Sequence, residues 1–183
     1  MARSTVLRSW PIEEGVARPI LTLVLGACLA GCSGVPFLVP DTRTPADHAR
    51  EVEPKCKDFA EAGAAPMLAP SAIDAVEPAY SYVQSGPADR QAYLRGARIR
   101  IKPLPGFSRE TIARSVECHE ARVLLGQAAA RPDDPYVMPD HWLDIDVESE
   151  GDGFAVLART DEMDIARQVL ARAQRYAGSA SAR

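Results

Sequence analysis

The chain has 183 residues, of which 25% are charged, 46% apolar and 6% aromatic. That size suits one globular domain with or without a tail, and no internal period marks a repeat array. Twenty-one basic residues against twenty-five acidic ones argue against the basic face of a nucleic-acid binder.

Residues 20–31 read Ile-Leu-Thr-Leu-Val-Leu-Gly-Ala-Cys-Leu-Ala-Gly, twelve positions without a charge. The run is shorter than the roughly 20 residues a membrane-spanning helix needs. It has the length of a signal-peptide core, with Arg18 just before it. It ends in Leu29-Ala30-Gly31-Cys32. This tetrapeptide resembles the lipobox of bacterial lipoproteins at all four positions. Leu25-Gly26-Ala27-Cys28 fits loosely, but would cut the apolar run to eight residues. The resemblance covers the export segment alone. It implies cleavage before Cys32, acylation there, and a membrane anchor made by the acyl chains. Ser33 after the anchor cysteine resembles the outer-membrane sorting signal of Gram-negative lipoproteins, which implies a domain facing the periplasm. Glu13 and Glu14 do not suit the start of such a segment. We therefore expect translation to begin at Val16, read as Met from a GTG codon, and codon 16 of the gene tests this. Removal of 1–31 leaves 152 residues with eighteen basic and twenty-three acidic side chains, a net charge of −5. No polybasic patch is left for anionic lipid.

Of the four cysteines, Cys28 leaves with the leader and Cys32 carries lipid. Cys56 and Cys118 remain in an oxidising compartment, where a disulfide between them is the leading expectation. The alternative is a soft-metal site for copper or zinc built from Cys56, Cys118, His119 and His48. Against it, there is no Cys-x-x-Cys, and adjacent side chains on a helix diverge, which separates Cys118 from His119.

Residues 32–44 form a tether stiffened by Pro36 and Pro40. A single α+β domain is expected over 45–177, followed by a loose tail at 178–183. Thr44-Pro45-Ala46-Asp47 reads as a helix start. Val52, Cys56 and Phe59 continue at helical spacing, with Pro54 predicting a kink or two short helices meeting near Glu53. A second helix is expected after Ser71, carrying Ile73, Val76, Tyr80 and Val83, and interrupted by Pro78. Residues 97–102 alternate strictly, which predicts a half-buried strand. Ser108 caps a long helix to about Leu125, ended by Gly126. Ile112, Val116, Val123 and His119 share its apolar stripe and Cys118 projects from the opposite flank, so two sides should be covered. Residues 142–148 alternate again, Glu150-Gly151-Asp152-Gly153 reads as a hairpin turn, and 154–159 as the return strand. Thr160 or Asp161 should cap a last helix with the stripe Ile165, Ala166, Val169, Leu170, Ala173 and Tyr176. The expected architecture is a helical, proline-rich N-terminal half packed on a β-α-β-β-α unit with a small three-stranded mixed sheet.

The outward row of the first strand is basic (Arg98, Arg100, Lys102) and that of the second acidic (Asp144, Asp146, Glu148). As neighbours they would form a cross-strand ladder worth a few tenths of a kcal/mol per pair. The same face could be a docking surface for an envelope partner, with Trp142 as its anchor. Packing of Trp142 under the 128–139 loop is the equal alternative. Acids at 144–152 do not make an EF-hand: counted from Asp146, Gly151 fits but the twelfth position is Leu157. No Gly-x-Ser-x-Gly, Ser-x-x-Lys, phosphate loop or His-Glu-x-x-His is present. The histidines are His48, His119 and His141; His119 reads as a core residue and His141 as a surface one. The expectation is a non-catalytic, lipid-anchored envelope domain without a cofactor, and a copper- or zinc-binding lipoprotein is the second reading.

Overall fold

The computed structural model describes residues 42–59, 65–84, 86 and 89–180. All belong to one compact unit, Asp41–Arg183. The leader, Cys32 and most of the tether lie outside the described residues.

The first helix, α1, spans Pro45–Val52. Its start is a capping box: the Thr44 hydroxyl accepts from the Asp47 N–H, and the Asp47 carboxylate accepts from the Thr44 N–H. Pro54 cannot continue an α-helix, and the chain tightens into a 3₁₀ turn at Glu53–Cys56. The expectation of two short helical pieces meeting near Glu53 is met.

The segment after Ser71 is not a helix. A short 3₁₀ turn at Pro70–Ala72 leads into the strand β1, Ile73–Gln84. β1 is an edge strand, where a missing N–H costs little, so Pro78 is tolerated there as it would not be inside a helix. β2, Arg90–Ile101, starts seven residues earlier than its alternating part. The helix α2, Arg109–Leu124, is capped by the Ser108 hydroxyl, which accepts from the Thr111 N–H at 3.2 Å. β3 is Asp144–Glu150 and β4 is Gly153–Arg159. Gly151 and Asp152 join them, with positive φ at Gly151. The last helix, α3, is Met163–Gly178. Its N-cap is Glu162, without a side-chain cap; the Thr160 hydroxyl accepts from the Glu162 N–H instead.

The domain is α+β with four strands in the order β1-β2-β4-β3, every neighbouring pair antiparallel. The three-stranded mixed sheet is corrected on both counts. β1 adds the fourth strand, and β2 and β3, although parallel in direction, are separated by β4. Gly96 lets β2 meet β4 closely: it has φ +144°, and a Cβ there would collide with the Ala158 carbonyl oxygen.

One sheet face is covered. Ala97, Ile99 and Ile101 of β2 and Val156 and Ala158 of β4 meet Ile112 and Val116 of α2 and Val169, Ala173 and Tyr176 of α3 in one apolar core. α3 lies over β1 and β2, α2 over β3, and α1 packs on α2. The Cys56–Cys118 disulfide ties the 3₁₀ turn to α2, with Cα atoms 5.6 Å apart. Arg122, one turn on, donates to the carbonyls of Cys56 and Phe59 at 2.9 and 2.8 Å, which satisfies the end of that turn. So α2 is indeed covered on two sides. Among the described residues no helix is long and apolar enough to cross a membrane.

Candidate functional site

Three polar regions stand out: the outer sheet face, a cleft at one end of it, and a buried cluster beneath α2.

On the outer face, Arg98 and Arg100 project from β2, and Asp144, Asp146, Glu148 and Glu150 line β3. The strand between them presents Ala155, fully buried, and Leu157. Because Ala155 is small, arginine stems cross β4 above it. Arg98 donates to Glu148 at 2.7 Å and Glu150 at 3.2 Å. The Glu148 hydrogen bond raises the Arg98 pKa further above its ordinary value. Arg100 lies 3.7 Å from Glu150 and 3.9 Å from both Asp74 and Glu77 on β1. Arg159 reaches Asp144 at 2.9 Å and Asp146 at 3.9 Å. The expected ladder therefore exists as a net spanning all four strands, not as a contact between adjacent ones. Lys102 stands apart from it; its ammonium donates to the Ser71 carbonyl at 2.9 Å.

Trp142 does not sit in that net. It precedes β3 and stacks on His48, with ring centroids 5.5 Å apart and planes 13° from parallel. The two rings line a cleft of about 620 Å³ with Arg95, His141, Arg159 and Glu162 among its walls. His141 is positioned by a turn: its N–H donates to the Met138 carbonyl, and Asp140 adopts φ +64° after Pro139. Its Nδ1 lies 3.4 Å from Glu162. Arg95 donates to the Thr160 carbonyl at 2.8 Å and pairs with Asp161. Arg159 links the two surfaces: it walls the cleft on one side, and on the other a shallow groove with Tyr80, Tyr82, Arg98 and Leu157. Another hollow, about 460 Å³, lies by the end of α3. Its Asp133 and Arg175 pair with each other at 2.8 Å, so the cleft is the stronger candidate for binding chemistry.

Below α2, His119 and Asp134 are almost fully buried and bonded through His119 Nε2 at 2.7 Å. Asp134 also accepts from the Tyr136 N–H at 3.0 Å. Glu120 is fully buried; its Oε1 accepts from the Leu143 N–H at 2.8 Å. Burial pushes its carboxyl well above the usual range, against the opposing pull of that hydrogen bond. Burial likewise raises the Tyr136 hydroxyl. These groups bind the 131–143 loop to α2 and present no reacting atom to solvent.

The four residues of the metal alternative are not gathered. Cys56 and Cys118 are bonded to each other, His119 turns to Asp134, and His48 lies on Trp142. Among the described residues no three His, Cys, Asp or Glu side chains converge as metal ligands. Sequence reasoning missed Glu120 and the groove beside Tyr80 and Tyr82. The available signal for Glu120 was its place between His119 on the apolar stripe and Ala121, on a helix with a second covered flank. Comparison of the chain with protein-family models, with curated proteins and with solved structures finds no match in any of the three.

Proposed function

We propose that this chain is a bacterial envelope lipoprotein, anchored through acyl chains on Cys32 to the outer membrane and facing the periplasm. Its domain binds or scaffolds an envelope partner and catalyses no reaction. The observation that carries the anchor is Leu29-Ala30-Gly31-Cys32 closing an uncharged run of twelve residues. The buried Cys56–Cys118 bridge supports the compartment, because disulfides persist where the surroundings are oxidising. The docking face runs from Tyr80 and Tyr82 across Leu157 and Arg159 to Trp142. In its favour, tyrosine, tryptophan and arginine supply most interface energy. The acids beside those arginines already pair with them, so a partner covering the face buries compensated charge.

Fatty-acid labelling in cells tests the anchor. The full chain takes up the label, Cys28→Ser keeps it, and Cys32→Ser loses it and stays uncleaved. Absence of label on the full chain contradicts the lipoprotein reading. Loss at Cys28→Ser with retention at Cys32→Ser contradicts the assignment to Cys32. A photo-cross-linking side chain at position 157 tests the face against one at Gln174, exposed on α3. An adduct at 157 alone is expected; adducts at neither or equally at both contradict the assignment.

A further inference from the structure

The β1–β2 ribbon runs past the rest of the sheet. β4 pairs with β2 only from Gly96 to Ile101, whereas β1 follows β2 as far as Gln84, opposite Arg90. Among the described residues five large apolar side chains are exposed, and four are on this extension: Tyr80, Tyr82, Val83 and Tyr93. Alternation sets Tyr80 and Tyr82 on the outer face and Ser81 and Val83 on the other. A partner lying flat on one face would cover half of that set. A strand added along the edge supplies cross-strand neighbours on both faces.

The two halves of β1 are guarded differently. Ile73 to Ala79 carries Asp74, Glu77 and Pro78, with a register shift at each end. Charges, proline and bulges are the features that keep an edge from pairing. Tyr80 to Gln84 reads Tyr-Ser-Tyr-Val-Gln, without charge, proline or register shift, and rich in strand formers. The protection stops where the apolar exposure begins.

We propose that Tyr80–Gln84 is a pairing edge for a second copy of this chain, the two segments running antiparallel about a two-fold axis at Tyr82. Tyr80 then faces Gln84 of the other copy, Ser81 faces Val83, and Tyr82 faces its own counterpart. The two sheets become one sheet of eight strands. Charge favours a second copy over a different extended chain. The segment itself is neutral, so self-pairing opposes no like charges. Its flanks on the outer face differ in sign: Glu77 lies toward the sheet body and Arg90 at the tip, over the Tyr82 ring. Antiparallel pairing turns Glu77 of each copy toward Arg90 of the other, while Asp89 beside Arg90 is held by the Gln91 amide at 3.4 Å. A patch that complements itself about a two-fold is also the commonest way that chains assemble.

The test uses the full chain in membranes or detergent. Under mild oxidation Tyr82→Cys gives a band of twice the chain mass that reduction removes. Asp152→Cys, on the exposed β3–β4 turn, gives none. Light scattering on the otherwise native chain reads a dimer, and Tyr82→Glu, which sets like charges against each other at the axis, lowers the association constant on the order of tenfold or more with an unchanged circular dichroism spectrum. A Tyr82→Cys thiol that stays reactive and monomeric overturns the proposal. So does one that links to a protein of another mass, which would mark the edge as a site for a different partner.

Discussion

The two faces of the sheet handle charge in opposite ways. Outside, arginines and acids pair over β4 with half-exposed side chains, and each can fall back on water. Inside, His119, Asp134 and Glu120 have no water to fall back on, and each depends on one or two named partners. The outer net is thus extensive and energetically shallow, the inner cluster small and decisive. A protein built this way can change its outer face for a partner without losing its fold.

The largest break in that contrast comes from the staple. Cys56→Ala with Cys118→Ala frees a loop of sequence separation 62, and the chain-entropy relation gives a loss of about 4 kcal/mol, read by denaturant unfolding. Next comes His119→Ala, which strips the buried Asp134 of its imidazole and should cost about 3 kcal/mol. Arg98→Ala, on the outer face, should cost less than about 1 kcal/mol although it removes two ion pairs. A larger loss at Arg98 than at His119 would erase the distinction between the faces.

Acidity sharpens the comparison further. The folded-state pKa of Glu120 is raised by burial, so the fold binds its proton more tightly than the unfolded chain does. Its contribution is fully present below the unfolded carboxyl value of about 4.3 and is lost as pH rises through the folded one. Unfolding free energies of the native chain and Glu120→Gln, taken across that window, should diverge, with the variant gaining relative stability as pH rises. Parallel curves would mean that Glu120 titrates normally.

Where single elements carry their own signals, the sequence was readable. The Thr44 box, the Ser108 cap, the alternation of Ala97, Ile99 and Ile101, and the Gly151-Asp152 turn are all local chemistry. β1 was misread because its signals are broken. Ile73, Val76, Tyr80 and Val83 fit helical spacing, and the register shifts at 73–75 and 79–80 interrupt the period of two that would have marked a strand. The cysteine pair could be reached by elimination, but strand order could not. Alternation says which face Arg98 and Glu148 take, not that β4 lies between them. The stacking of His48 on Trp142 joins residues 94 positions apart, and nothing in either segment announces it.

The central claim is an exported domain whose interior is stapled by one bond and whose outer face is left to bind. A free-thiol count tests it most directly, on the full chain with Cys28→Ser and Cys32→Ser, under denaturing and non-reducing conditions. The account predicts no reactive thiol. Two reactive thiols would contradict it, removing the link between α2 and the Cys56 turn and returning Cys56 and Cys118 to the pool of possible metal ligands.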